Sequence, residues 1–328
     1  MENETLSLLC PPPEERLTAW LTEIYGKSVP IASRQLLRHR DLSYVERLRL
    51  VDAMPETLIY KVVLPPWDVE QDLHEHILIP SVSNSARLYL TGTHLGMTAM
   101  FMEDLGEKAL LDGLGEDDLA NKVGTELAKL HRAFTYRIAE VQSTNVLRIL
   151  LPAEFVTCAE ELADELSAGE PACINADQSR TIKRVGELAS EKLAAEPISL
   201  VHGDLYAEKI LYDGLRLYII VWSWFTTISA PILVLATLTM KHFKNGALVE
   251  KRQEVIEAYC SEYSRNFEDT KTLLPYAEAF SRLLFLRWLA ERRRRGMTGT
   301  TVGPVEILIA TVIAEMSMYL KDLDQATS

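Results

Sequence analysis

The sequence has little cysteine. Cys10, Cys158, Cys173 and Cys260 are the four in 328 residues, and no two have CxxC spacing. Thiols scattered this way suggest neither a disulfide framework nor a zinc site, and they fit a reducing, cytoplasmic setting. Long apolar runs are also missing. The most hydrophobic stretches, Leu215 to Trp224 and Ile228 to Leu238, are shorter than the ~20 residues of a membrane span. They read instead as a buried strand followed by a buried helix, with no membrane partner. The first residues, MENETLSLLCPPPEERL, have no basic segment ahead of an apolar one, so no signal peptide is expected. An excess of positive charge is absent too: the formal net charge is −13. Nucleic-acid binding needs clustered Lys and Arg, so no nucleic-acid partner is expected. There is no internal repeat and no low-complexity tract.

What is present is the composition of a folded protein, with 48% hydrophobic and 25% charged residues. The length suits two domains or one large bilobal one. Helical apolar spacing covers Glu14 to Ile24. Strand-like runs follow at Ala32 to Leu37, Tyr44 to Val51 and Thr57 to Leu64, the last rich in β-branched residues. A helix is predicted over Asp68 to Ile79, then strands over Ala86 to Leu90 and Met97 to Met102. This order describes a small, mostly antiparallel lobe with one helix. From about Glu116 the pattern turns helical and stays so, apart from a strand-rich island over residues 199–224. The expected class is α+β, with a β-rich lobe over 1–104 and a larger helical lobe over 105–328 that holds the island.

The most informative segment is Leu200 to Leu211, LVHGDLYAEKIL. A buried strand end delivers His202, Gly203 and Asp204 to a loop, and a hairpin turning at Asp213-Gly214 follows. A carboxylate placed there can accept a proton from a substrate hydroxyl. The other reading is a turn in which Asp204 caps backbone amides. Trp222 and Trp224 would share one face of a strand, core or cleft. The run Arg292 to Arg295 reads as a solvated helix end, or as a binding patch for an anion or a partner.

This segment resembles the aminoglycoside phosphotransferase and choline kinase superfamily, whose signature is HGDLxxxNIL followed by a hairpin and an IDW-type motif. Here the chain reads HGDLYAEKIL, then IIVWSW, then SAPILVLATL. Other landmarks agree in order. Lys61 in LIYKVV looks like the strand lysine that pairs with nucleotide phosphates. Phe101 to Gly106, FMEDLG, looks like the strand and hinge that contact adenine. Leu127 to His131, LAKLH, looks like the family's LAxLH helix, which makes His131 structural. The resemblance covers roughly residues 30–290 and implies a bilobal protein-kinase-like fold. It implies Asp204 and His202 as the catalytic-loop residues. It implies ATP as the nucleotide, with Lys61, Ser43, Glu103 and Leu105 on its side of the site. Glu75 is the expected ion-pair partner of Lys61, with Glu70 as runner-up. The first strand turn, Arg38 to Ser43, holds no glycine, so a Gly-rich phosphate cradle is missing.

Two departures decide more than the matches. The family's magnesium ligands are the Asn of HGDLxxxN and the Asp of IDW, and the matching positions here are Lys209 and Val221. An ammonium has no acceptor and an isopropyl group has no polar atom. Magnesium demands oxygen ligands in near-octahedral geometry, so no metal site is expected. Val234 replaces a further family Asp. The expectation is a pseudokinase that binds a small-molecule ligand or a protein partner with little or no phosphoryl transfer. The alternative is an active ATP-dependent phosphotransferase for hydroxyl compounds with a rearranged metal site, for which Glu208 offers an oxygen.

Overall fold

The computed structural model describes residues 9, 12–116, 118–168, 172–300 and 303–327. The chain divides into two compact units, one of residues 1–108 with 211–224 and one of 109–210 with 225–328. The first crossing between the units falls at 108/109, against the expected division at 104/105. The strand-rich island is itself shared between the units, because residues 211–224 cluster with the first.

The first unit begins with helix α1, Glu14–Tyr25, led by Pro13 and closed by Gly26 in the left-handed region. Five strands follow: β1 (Ile31–Arg40), β2 (Ser43–Leu50), β3 (Thr57–Val63), β4 (Leu88–His94) and β5 (Met97–Glu103). All pair antiparallel in the order β1-β2-β3-β5-β4. Period-two alternation turns Tyr44, Leu48, Leu58, Tyr60 and Phe101 to one face, where they pack with Leu17, Trp20 and Leu21 of α1. Close approach of α1 requires Gly92, since a Cβ there would lie 2.7 Å from the Trp20 indole nitrogen. Glu46 also points into this core and is paired with Arg34 at 2.6 Å and with the Tyr44 hydroxyl at 3.0 Å. The helix expected over 68–79 is shorter than predicted: α2 spans Glu70–His76, and a separate single turn spans Pro80–Ser83.

The second unit is helical. Its longer helices are α3 (Leu119–Tyr136), α4 (Phe155–Ala168), α5 (Ala176–Leu193), α6 (Ile232–Thr239), α7 (Arg252–Tyr263), α8 (Phe267–Arg294) and α9 (Val305–Thr327). Every residue of α6 is buried, which is why its sequence is apolar on all sides. Glycines set two helix contacts. A Cβ on Gly124 would lie 2.2 Å from the Val255 carbonyl of α7, and one on Gly186 2.4 Å from Ala159 of α4. Strands β6 (Ser199–Val201) and β9 (Thr227–Ser229) pair antiparallel within this unit. β-Branched Thr227 opens β9. Strands β7 (Ile210–Tyr212) and β8 (Leu217–Ile219) form the expected hairpin, turning at Asp213-Gly214.

Two other expectations need correction. Residues 221–224 are not a strand, so Trp222 and Trp224 do not share a strand face; Trp222 is 1% exposed and Trp224 half-buried. Arg292 is not solvated: it is 1% exposed, lies over the Trp288 ring and donates to the Gly299 carbonyl. The rest of the run is paired, Arg293 with Glu306 at 2.9 Å, and Arg294 and Arg295 with Glu291. Among the described residues, no helix is long and apolar enough to cross a membrane.

Candidate functional site

Strand β6 is three buried residues long, and its end presents His202-Gly203-Asp204. Helix α3 holds that strand, because Ser199 Oγ donates to the His131 carbonyl at 2.7 Å. His131 is fully buried, with Nδ1 3.0 Å from the Tyr259 hydroxyl on α7. Burial, helped by the charge of Arg265, drives its pKa down to about 3, so it is neutral and structural. Gly203 sits at φ +72°, and a Cβ there would come 2.2 Å from the Phe225 carbonyl. Only glycine fits both demands. His202 is 2% exposed, and its Nδ1 faces the Asp204 amide at 3.4 Å. It therefore shapes the turn that carries Asp204.

Asp204 carries an ion pair. Lys209 Nζ donates to Asp204 Oδ2, with Lys209 buried and Asp204 about one-fifth exposed. The lysine ends a turn of 3₁₀ helix, Ala207–Lys209, that is fixed from below. The Ala207 amide donates to Asn245 Oδ1 at 3.0 Å, and Asn245 Nδ2 donates to the carbonyls of Thr237 and Met240. Burial lowers the pKa of Lys209, while the Asp204 carboxylate pulls it back up. Glu208, the residue that offered a replacement oxygen, is engaged by Lys244 at 3.1 Å. Lys244 also lies over the Tyr206 ring, which packs on His242 with centroids 4.5 Å apart. Burial pushes the Tyr206 phenol far above its ordinary value and lowers His242. Asn245 was not found from sequence. A buried Asn eight residues past Thr237 carries no motif, and only its three bonds reveal it.

In the first unit Lys61 is buried on β3 and pairs with Glu70, not with the expected Glu75. Glu75 is exposed and accepts from Gln71 and Thr91 instead. The reason is helix phase: five residues rotate a side chain by about 140° relative to Glu70. His74, one turn beyond Glu70, has its pKa lowered by burial. Ser43 opens β2 opposite Val63, at the end of the turn through Asp41 and Leu42. Glu103 ends β5 with its amide bonded to the Arg87 carbonyl at 2.8 Å and its carboxylate to the Arg87 amide at 3.1 Å. The segment after it is tied to β2, since Arg47 donates to Asp104 at 2.6 and 3.0 Å and also reaches Glu107. Burial alone would raise Asp104, but hydrogen bonds from Arg47 and the Gly106 amide outweigh it and hold this carboxyl below its usual range. Leu105 is half-buried within this segment.

Residues 211–224 are bonded into the same unit by Tyr212 to the Lys108 carbonyl at 2.9 Å and Ile219 to the Asn84 carbonyl at 2.7 Å. Val221 follows with φ +63°. A β-branched residue in the left-handed region costs of order 1–3 kcal/mol, so its neighbours fix the backbone there. Nothing in the sequence signalled this conformation.

Neither residue that the resemblance matches to a magnesium ligand suits the ion. Lys209 brings a cation that is already bonded to Asp204, and Val221 brings no donor atom. Asp72, Glu75 and His76 have mutual spacing that suits a metal, but all three are exposed on α2 and Glu75 is hydrogen-bonded elsewhere. They carry no argument for a site.

No protein-family model and no curated protein matches the sequence. Solved structures do match in shape. One is a choline/ethanolamine kinase family protein from Mesorhizobium loti, at 13% identity over 97% of this chain and 94% of that one, with a TM-score of 0.60. A second is an aminoglycoside 2'-phosphotransferase-IIIa in its GDP complex, at 13% identity over 95% and 99%, with a TM-score of 0.65. A third is a choline kinase from Streptococcus pneumoniae, at 14% identity over 94% and 99%, with a TM-score of 0.59. The fold is the protein-kinase-like one that these proteins share, an antiparallel five-stranded sheet with a helical unit.

Proposed function

We propose that this chain is a pseudokinase, a kinase-fold protein that binds a ligand or a protein partner and carries little or no magnesium-dependent phosphoryl transfer. One observation carries the reading: the Lys209 ammonium, at a position where related kinases hold a metal-ligating Asn, is paired with the Asp204 carboxylate. A general base must have its acceptor oxygen available to the substrate hydroxyl. Here one oxygen is bonded to an ammonium that the 3₁₀ turn and Asn245 hold in place. Val221 adds a second loss, since it cannot ligate a cation.

The size of the loss is substantial. Phosphoryl transfer rests on positioning and on neutralising charge around the transferring group. Metal-ion charge stabilisation is worth several kcal/mol, and each ~1.4 kcal/mol is tenfold in rate. Lys209 supplies a point charge but cannot bridge two phosphate oxygens as a metal does.

Nucleotide binding has support of its own. The buried Lys61–Glu70 pair is retained, and that lysine has the place of the family's phosphate partner. Structural neighbours have been solved with GDP, ADP and ATP. The same pair is what favours the alternative, an active ATP-dependent phosphotransferase for a hydroxyl compound. Phosphorus-31 spectroscopy with ATP, magnesium and a panel of amino alcohols, sugars and aminoglycosides separates the two. The pseudokinase reading expects no transfer, and turnover of ~1 per second or faster establishes the enzyme.

A further inference from the structure

Two cations in the second unit have no carboxylate partner among the described residues. Arg148 Nη2 donates to Cys158 Sγ at 3.5 Å, and Arg287 Nη1 donates to the same sulfur at 3.4 Å. Their donor nitrogens therefore lie within about 7 Å of each other, close enough for the charges to repel. Neither arginine forms an ion pair with a described residue, although the chain carries 47 acidic side chains against 34 basic ones. A thiol is a weak acceptor and does not offset two guanidinium charges. The nearest carboxylates in sequence are used elsewhere. Glu291, one turn beyond Arg287, is held by Arg294 and Arg295, and Glu154 accepts from the Leu151 amide. Arg148 is exposed and Arg287 half-buried, so both heads can be approached.

The backbone of Arg148 is tied to the strand that follows the Asp204 loop. The Arg148 carbonyl accepts from Thr227 Oγ1 at 2.6 Å and from the Ile228 amide at 3.0 Å, which fixes it beside the strand that leaves Phe225. Phe225 is the residue whose carbonyl crowds Gly203. Its ring lies 5.9 Å from Trp288, and Phe285 stacks on Trp288 at 5.5 Å. All three rings are half-buried, and Arg287 precedes Trp288 on α8. A pair of guanidinium forks suits a carboxylate or phosphate.

We propose that Arg148 and Arg287 form an anion-binding site whose ligand is a small carboxylate or phosphate compound. This is the opposite charge preference from an amino alcohol or an aminoglycoside. It rests on the ligand-binding half of the reading above and not on the loss of phosphoryl transfer. Phenyl phosphate is the probe, titrated calorimetrically at constant ionic strength against inorganic phosphate and choline. Phenyl phosphate and inorganic phosphate are both expected to bind, and choline is not. The Arg148→Gln variant, at an exposed position, and the charge-retaining Arg287→Lys should each weaken binding, and the double glutamine variant by about tenfold or more. The inference is overturned if phenyl phosphate fails to bind, if its affinity survives in folded Arg148→Gln/Arg287→Gln protein, or if choline binds equally well. ATP turnover with anion binding intact would instead overturn the pseudokinase reading alone.

Discussion

At the scale of single residues, the two partners of the central ion pair are unequally buried, and that sets how the protein responds to losing either. Removing Asp204 strands the buried Lys209 ammonium, and breaking a buried pair in this way costs about 3–5 kcal/mol. Removing Lys209 leaves Asp204, which is 22% exposed and can be hydrated. Denaturant unfolding should therefore show Asp204→Ala to be more destabilising than Lys209→Met; the reverse order would mean that the lysine is not the trapped charge. His131 supplies a pH test. Its folded pKa of about 3 lies below the ordinary 6.5, so the folded state resists its protonation. Its contribution is fully present above pH 6.5 and is lost as pH falls towards 3. Between those values the protein should lose stability by up to about 1.4 kcal/mol per pH unit from this group. His131→Gln should flatten the stability–pH curve by close to one proton there, and an unchanged slope would contradict burial of a neutral imidazole. Residue chemistry was also where the sequence was most and least legible. HGDL, Lys61 and the missing metal ligands can be read from letters. The choice of Glu70 over Glu75 depends on helix phase, and φ +63° at Val221 depends on a backbone path that no local pattern encodes.

At the scale of elements, contacts between helices rest on positions where no side chain fits. The Gly124 contact between α3 and α7 leaves no room for a methyl group, since its carbon would fall 2.2 Å from the Val255 carbonyl. Gly124→Ala should force the helices apart and cost about 1–3 kcal/mol, visible as a lower midpoint in urea. A neutral outcome would show that the two helices can separate freely. The sheet strands and most helices were legible because periodicity of 2 or 3.6 survives in the letters, as in Thr57–Val63 and Leu119–Tyr136. The failures came where tertiary context governs. Thr227–Ser229 is a strand only because β6 and the bridge from Ile149 pair with it. Trp222 to Trp224 alternates like a strand but follows no ladder. Arg292 sits in a charged run that reads as surface, yet it is buried over Trp288.

At the scale of the whole molecule, the fold and the proposed activity come apart. The antiparallel sheet belongs to a protein-kinase-like fold, while lysine and valine stand at the two positions that the proposed reading matches to metal ligands of related kinases. The account stands on that mismatch. Its most direct test is the affinity for ATP measured by titration calorimetry with magnesium and again with EDTA, in the native protein and in Lys209→Asn/Val221→Asp. The account predicts that the native protein binds ATP equally well in both buffers, and that the double variant gains a preference for magnesium. ATP binding by the native protein that appears only when magnesium is present would contradict it.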